Sequence, residues 1–174
     1  MTETLTALDP RLHLVAIVVY ATAAALAVVG AVFDRPKLKR IVFPIVVAGL
    51  AVHLAAIGVR WAAVGHGPFI TKYENLSSYA LATIVLSLAV SRTDRLRDRG
   101  IELVLYPVAF LLMAVGLYTG PEIAQLPPTF SGTWLVLHVC FYFAAFASAV
   151  ACLSASVLVL STPRGIGALK PDPV

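Results

Sequence analysis

The stretch Trp61-Ala-Ala-Val-Gly-His-Gly-Pro-Phe-Ile-Thr-Lys-Tyr-Glu-Asn75 separates two long apolar runs and decides how the chain folds. Gly65, Gly67 and Pro68 prevent a continuous helix through it, because glycine loosens the backbone and proline lacks an N–H donor. The chain must therefore turn here, and the freed polar groups need water, protein or a ligand as partners. A second interruption, at 120–132, has the same character, and His138 follows it inside the next apolar run.

The composition of the chain indicates a membrane protein. Of the 174 residues, 60% are hydrophobic and 13% are charged, with a mean hydropathy of +0.91, whereas a soluble domain is about 45 to 50% apolar. The net charge of +4 could indicate nucleic acid, but the basic residues lie in short loops beside apolar runs, as membrane topology requires. We therefore predict an all-α polytopic membrane helix bundle that contacts membrane lipid and binds no nucleic acid.

Five apolar runs predict about five transmembrane helices, since about 20 apolar residues span a bilayer. The expected helices are Leu12–Phe33, Ile41–Val64, Leu76–Ser91, Ile101–Tyr118 and Thr133–Ser161. They divide the chain into a short outer N-terminal segment at 1–11, a helix bundle at 12–161 and a cytoplasmic tail at 162–174. Glu74 or Asn75 is expected to cap the third helix by accepting hydrogen bonds from its first amides.

The basic residues predict how the bundle is oriented. Ten of them share one side, namely Arg35, Lys37, Lys39, Arg40, Arg92, Arg95, Arg97, Arg99, Arg164 and Lys170. The positive-inside rule makes that side cytoplasmic and leaves Arg11, Arg60 and Lys72 on the other. The N-terminus and both interruptions then lie outside a bacterial cytoplasmic (inner) membrane that the protein crosses several times. Seven aromatic residues fall near the outer interface: Trp61, Phe69, Tyr73, Tyr79, Tyr118, Phe130 and Trp134.

His53 is an ionisable residue in the middle of an apolar helix, where it is costly unless it faces a partner. Arg60 follows two helical turns later on the same face. The imidazole could ligate a metal porphyrin, and the guanidinium above it could hold a propionate. An equally open alternative is that His53 hydrogen-bonds a neighbouring helix while Arg60 reaches lipid phosphate groups.

The other histidines lie at or near the outer face. His138 is in the first turns of the fifth helix, His66 is in the first interruption, and His13 begins the first helix. Together they could form an external haem or metal site, although none has an HxxH or HExxH spacing, which argues against a zinc hydrolase. We expect His13 to be interfacial filler without a role in a site.

Two segments resemble one family. The run from His53 to Ser78, with Arg60-Trp61, Gly65-His66-Gly67-Pro68 and Tyr73-Glu74-Asn75-Leu76, resembles the amino-terminal region of the CcsA/ResC cytochrome c assembly proteins and their HemX-like relatives. The segment Pro127-Pro-Thr-Phe-Ser-Gly-Thr-Trp-Leu-Val-Leu-His-Val139 is similar to a family segment with the pattern Trp-Leu-x-x-His-Val. The two matches keep their order and spacing over about 50 to 160.

The resemblance implies a membrane protein that handles haem on its way to apocytochrome c at the outer face. It implies that His53 is an axial ligand of haem iron within the membrane and that His138 is an external ligand of haem iron. Haem b is the cofactor expected, with Arg60, His66 and Trp134 also in contact with it.

The family's tryptophan-rich segment and later helices are missing from this sequence. A ResB-like protein, or a subunit that carries the tryptophan-rich segment, is therefore an expected partner, together with apocytochrome c or another cytochrome. The same missing segment keeps two alternatives open. One is a haem b or quinone-binding membrane anchor of a respiratory electron-transfer complex, and the other is a structural membrane subunit without a cofactor.

Overall fold

The chain folds into a bundle of helices, seen in a computed structural model that describes residues 2–92, 100–125 and 132–161. Within these ranges the chain forms five helices: α1 (Thr2–Val32), α2 (Pro36–Val64), α3 (Lys72–Val90), α4 (Glu102–Thr119) and α5 (Thr133–Ser161). The prediction of an all-α bundle is confirmed. The predicted tail at 162–174, the basic residues Arg95, Arg97 and Arg99, and Phe130 lie outside the described residues.

Four of these helices are long and apolar enough to cross a membrane, as a polytopic membrane protein requires. They are α1, α2, α4 and α5. The exception is α3, which is the most polar of the five. Lys72, Glu74, Ser77 and Ser78 stand in its first two turns. The polarity of α3 has a structural cause, because Glu74, Ser77 and Ser78 are buried inside the bundle.

The first helix begins at Thr2, earlier than the predicted start at Leu12, and it includes Pro10. The expected separate segment at 1–11 is therefore helical from residue 2. Proline costs a helix one backbone hydrogen bond, but side chains on either side of it hold this turn in place. Asp9 and His13 both point into the bundle, where they are 0% and 3% exposed.

The turn between α2 and α3 forms as its glycines predicted. Gly65 ends α2 in the left-handed conformation, with φ of 75°, and its N–H donates to the carbonyl of Trp61. Thr71 then caps α3, accepting a hydrogen bond from the Glu74 amide. The Glu74 carboxylate accepts in return from the amides of Thr71 and Ile70, which confirms its predicted capping role.

The helices pack as two pairs with α5 at the side. The most extensive contacts join α1 to α2 and α3 to α4, while α1 also packs on α4. Gly49 lets α1 and α2 approach closely, since a Cβ there would lie 2.7 Å from the Tyr20 ring. Helix α5 packs mainly on α3, where Tyr79 contacts the rings of Phe143 and Phe146. The start of α1, the end of α2 and the start of α3 therefore meet at one end of the bundle.

Candidate functional site

Eight polar or aromatic side chains form a buried cluster where α1, α2 and α3 meet. They are Asp9, His13, Tyr20, His53, Arg60, Tyr73, Glu74 and Ser77, and none is more than 3% exposed. Three charged groups lie at the end of the bundle that also holds the turn after Gly65. The two histidines and Tyr20 lie deeper. Groups of this kind are costly inside a membrane protein unless they satisfy one another, as they do here.

Arg60 is the charge that joins three helices in this cluster. Its Nε and Nη2 lie 2.9 Å from Oε1 of Glu74, and its Nη1 lies 3.3 Å from Oδ2 of Asp9. The remaining N–H groups donate to the backbone carbonyls of Pro121 and Glu122. The guanidinium also stacks over the Tyr73 ring, 5.2 Å from its centre. Each nitrogen of Arg60 is thus engaged by the protein, so a haem propionate could bind only by displacing one of these partners.

His13 and His53 share one hydroxyl group. Nε2 of each imidazole lies 2.9 Å from Oγ of Ser77, and the two ring centres are 5.8 Å apart. On the far side, Nδ1 of His13 lies 2.9 Å from Oδ1 of Asp9, and Nδ1 of His53 lies 3.3 Å from the hydroxyl of Tyr20. His13 is therefore a central member of the cluster and not the interfacial filler that we expected.

The surroundings of His53 do not fit haem ligation in this arrangement. The ring is 0% exposed, and both of its nitrogens have hydrogen-bond partners, Ser77 and Tyr20. Ligation of iron needs a free ring nitrogen and room for a porphyrin beside it. Among the described residues, no group of three or more histidine, cysteine or carboxylate side chains could hold a metal ion either. The cluster is built from hydrogen bonds and ion pairs.

His66 joins the two sequence interruptions. It is 6% exposed, with Nδ1 2.9 Å from the carbonyl of Gly67 and Nε2 2.9 Å from the carbonyl of Ala124. Together with the bonds from Arg60 to Pro121 and Glu122, this contact holds the segment after α4 against the end of α2. His66 therefore positions a loop, and neither of its nitrogens is free for a metal.

An apolar groove of about 860 Å³ runs along one side of the bundle. Its walls come from α2 and α5 and its floor from α3, with Ile57, Trp61, His66, Leu81, Val85, Val139, Cys140 and Phe143 among the lining residues. The volume lies within the range of about 300 to 1,000 Å³ that is common for ligand cavities. Neither His53 nor His138 lines it. The groove can accept an apolar molecule, but its lining histidine, His66, is already bound to two carbonyls.

His138 and Trp134 lie on the outside of α5. His138 is exposed, Trp134 is 84% exposed, and a spacing of four residues places both on the same helix face. In the part of the chain that the structure describes, the imidazole has no hydrogen-bond partner. Of the histidines expected to bind iron, His138 is thus the one whose ring is accessible, and it does not approach the buried cluster.

Sequence reasoning missed five members of the cluster, namely Asp9, His13, Tyr20, Tyr73 and Ser77. The spacing of Asp9 and His13, four residues apart at the start of an apolar run, was an available signal for a pair facing inward. Tyr73 and Ser77 follow the same spacing in α3. What the sequence could not show is that these two pairs meet across the helices, because that contact depends on how α1 packs against α3.

Comparison with known proteins links the chain to one class. It is 31% identical over 114 residues to the cytochrome c biogenesis protein CcsA of two strains of Prochlorococcus marinus, MIT 9303 and MIT 9313. The match includes 63% of this chain and 35% of each relative, so the chain spans about a third of the length of the proteins it matches. No family model matches the chain. No solved structure matches it.

Proposed function

We propose that this chain is a membrane component of cytochrome c biogenesis that holds haem b near the outer face of a bacterial inner membrane, with His138 as a ligand of the haem iron. The similarity to CcsA supports the biogenesis class. The exposure of His138 on α5 is the observation that supports this residue as the ligand.

The position of His138 gives the physical reason. An imidazole on an apolar helix is costly if it faces lipid, so it implies a ligand or a partner on that face. A neutral histidine nitrogen is a common axial ligand of haem iron. Trp134, one turn earlier on the same face, offers an aromatic surface beside which a porphyrin could lie. When bound, haem supplies an iron centre and reactive vinyl groups, and the role of this chain is to bind and orient it.

The proposal requires partners. The chain matches only 35% of the length of its CcsA relatives, and the resemblance places the tryptophan-rich segment outside this sequence. A ResB-like protein, or a subunit that carries that segment, would cover the exposed face of α5 and complete the haem site. Apocytochrome c, or another cytochrome, would then receive the haem at the outer face.

The test is the haem absorption of purified protein and its variants. We expect His138→Ala to lose most of the Soret absorbance gained on adding haem. Leu137→Ala should keep it, because Leu137 is also exposed on α5 and changes the surface without removing a ligand. His53→Ala should retain the band as well. If His53→Ala loses the band and His138→Ala keeps it, the bundle opens to admit haem at His53, and the assignment to His138 is wrong.

One observation favours a second function. The apolar groove lined by α2, α3 and α5 could hold the tail of a quinone, as a membrane anchor of a respiratory electron-transfer complex would require. Reduction of a bound haem by added quinol would favour this function over haem delivery. Absence of a Soret band from every preparation would favour the third alternative, a structural subunit without a cofactor.

A further inference from the structure

The buried cluster contains a continuous line of hydrogen bonds through three helices. Starting from the deepest member, it connects Tyr20 to His53 at 3.3 Å, His53 to Ser77 at 2.9 Å and Ser77 to His13 at 2.9 Å. It ends where His13 meets the carboxylate of Asp9 at 2.9 Å. Every member is at most 3% exposed. Bulk water therefore does not interrupt this line.

The acceptors at the Asp9 end fix the position of one hydrogen. Nδ1 of His13 faces both the carboxylate and the backbone carbonyl of Asp9, and both of these only accept. Nδ1 of His13 must therefore carry a hydrogen. Nε2 of His13 faces the Ser77 hydroxyl, which can either donate or accept. The remaining hydrogens can consequently take two arrangements that differ by one proton.

In the first arrangement both imidazoles are neutral. Tyr20 donates to Nδ1 of His53, Nε2–H of His53 donates to Ser77, and Ser77 donates to Nε2 of His13. In the second arrangement one proton has been added and every bond beyond His13 is reversed. Nε2–H of His13 donates to Ser77, Ser77 donates to Nε2 of His53, and Nδ1–H of His53 donates to Tyr20. His13 is then an imidazolium, and His53 stays neutral but has changed its tautomer.

The charges around the line favour the added proton. Helix α1 contributes the carboxylate of Asp9, α3 contributes Glu74 and the phenol of Tyr73, and α2 contributes Arg60 as the cation. Two carboxylates against one guanidinium leave one excess negative charge in a buried site, which is costly. A proton on His13, beside Asp9, makes the cluster electrically neutral. A protonated His13 can therefore stay buried, because its charge is balanced within the cluster.

We propose that Tyr20, His53, Ser77, His13 and Asp9 form a proton relay. The relay connects the outer end of the bundle to the middle of the membrane and binds one proton. A proton that arrives at Tyr20 replaces the phenol proton, which passes to Nδ1 of His53, and His53 then releases its Nε2 proton to Ser77. Ser77 passes its own hydroxyl proton to Nε2 of His13, so that one proton enters, one charge appears on His13, and Tyr20 and Ser77 each keep one hydroxyl proton.

The relay extends from one end of the bundle to about the middle of the membrane. Asp9 and Tyr20 are separated by about 16 Å along α1 at a rise of 1.5 Å per residue. This is about half of the roughly 30 Å hydrocarbon thickness of a bilayer. The line therefore suits a reaction at mid-membrane depth that takes up or releases a proton. It does not depend on haem at His138, which lies on a separate surface of α5.

The test is the protonation state of each histidine, read by nitrogen NMR. Protein labelled with nitrogen-15 histidine is reconstituted in phosphatidylcholine bilayers and followed from about pH 5 to about pH 8, the range in which histidines ordinarily titrate. Histidine-to-glutamine variants assign the four signals. We expect His13 to become charged as the pH falls, and His53 to change from the Nε2–H to the Nδ1–H tautomer in the same step. A polar network with only a structural role would not couple these two events.

Matched serine variants test the connection. Ser77→Ala should leave His13 able to titrate while His53 keeps one tautomer, and Ser77→Thr should restore the coupling. Ser78→Ala should behave like the wild type, because the Ser78 hydroxyl donates to the carbonyl of Pro68 and not to the relay. The proposal is overturned if His53 keeps one tautomer while His13 titrates in the wild-type protein, a measurement that stands even if Ser77→Ala does not fold. It is also overturned if coupling survives in Ser77→Ala. His138→Ala should leave the coupling unchanged, which separates this test from that of haem binding.

Discussion

Arg60 holds two carboxylates and two backbone carbonyls while its guanidinium lies over an aromatic ring. Its partners come from α1, from α3 and from the segment that follows α4. A guanidinium suits this position because it is planar and carries five N–H donors in a fixed geometry. Arg60 therefore acts as the point at which the outer ends of the helices are joined.

Replacing Arg60 by glutamine should destabilise the protein strongly. Asp9 and Glu74 would remain buried with their cation removed, and breaking such a buried pair costs about 3 to 5 kcal/mol. We expect the denaturation midpoint of the purified protein, followed by circular dichroism, to fall accordingly. Arg40→Gln is the matched control in the same helix, since Arg40 is exposed, and it should change stability by less than about 0.5 kcal/mol. Equal effects of the two variants in haem-free protein would show that Arg60 is not a structural centre.

The histidines show how far single residues can be interpreted from sequence. His53 and Arg60 were recognisable because a polar side chain deep in an apolar run demands a partner. The partner itself was not recognisable, and the sequence left a porphyrin and a neighbouring helix as equal alternatives for His53. In the structure the partners of His53 are side chains of neighbouring helices, Ser77 of α3 and Tyr20 of α1. His13 was undervalued because its position at the start of a helix suggested an interface.

At the scale of elements, α1 and α2 make the most extensive helix contact, and glycine makes their close approach possible. A Cβ at Gly49 would lie 2.7 Å from the Tyr20 ring and 2.9 Å from Val19. Small residues commonly line such helix contacts in membranes. The same contact fixes the ring of Tyr20, the deepest member of the relay.

Gly49→Leu should therefore force α1 and α2 apart. Overpacking of this kind typically costs about 1 to 3 kcal/mol, and it should also lengthen the contact between Tyr20 and His53. Gly58→Leu is the control in the same helix, because a Cβ there would meet nothing within 4 Å. The measurement is the thermal midpoint in detergent. A Gly49→Leu protein as stable as Gly58→Leu would show that the two helices are not held in this close contact.

Element boundaries were predictable where local chemistry decides them. The end of α2 matched its expected residue because Gly65 adopts a left-handed conformation that few other residues tolerate. The start of α1 did not match, because the prediction began with the apolar run at Leu12 whereas the helix begins at Thr2 and continues through Pro10. In that case tertiary contacts of Asp9 and His13 outweighed a local preference. The bounds of α5 agreed with the prediction at both ends.

At the scale of the whole molecule, orientation in the membrane is the property that the charge distribution predicts. Lys72 lies at the start of α3, at the end of the bundle that holds Arg60, while Lys37 lies at the start of α2, at the opposite end. Both side chains are exposed. The excess of basic residues beside Lys37 predicts that its end is cytoplasmic and that the N-terminus is outside.

Cysteine labelling would check this orientation. Lys72→Cys and Lys37→Cys are introduced separately into a protein whose native cysteines are changed to alanine. A membrane-impermeant maleimide added to intact cells should label Cys at 72, and should label Cys at 37 only after the cells are opened. Labelling of position 37 alone in intact cells would show the opposite orientation. Labelling of both would show that the two ends are not on different sides.

The polarity of α3 also has a consequence for biosynthesis. A nascent chain delivers its helices to the translocon in order, and α3 lacks the apolarity that drives α1, α2, α4 and α5 into lipid on their own. Its carboxylate and hydroxyl groups can be accommodated only after α1 and α2 present Arg60 and His13 to them. Integration of α3 must therefore be assisted by earlier segments of its own chain. A cysteine in place of the exposed Arg92, which follows α3, would report whether that assistance is needed: the impermeant maleimide should reach it in intact cells only when α3 fails to integrate, as we expect with Arg60→Gln.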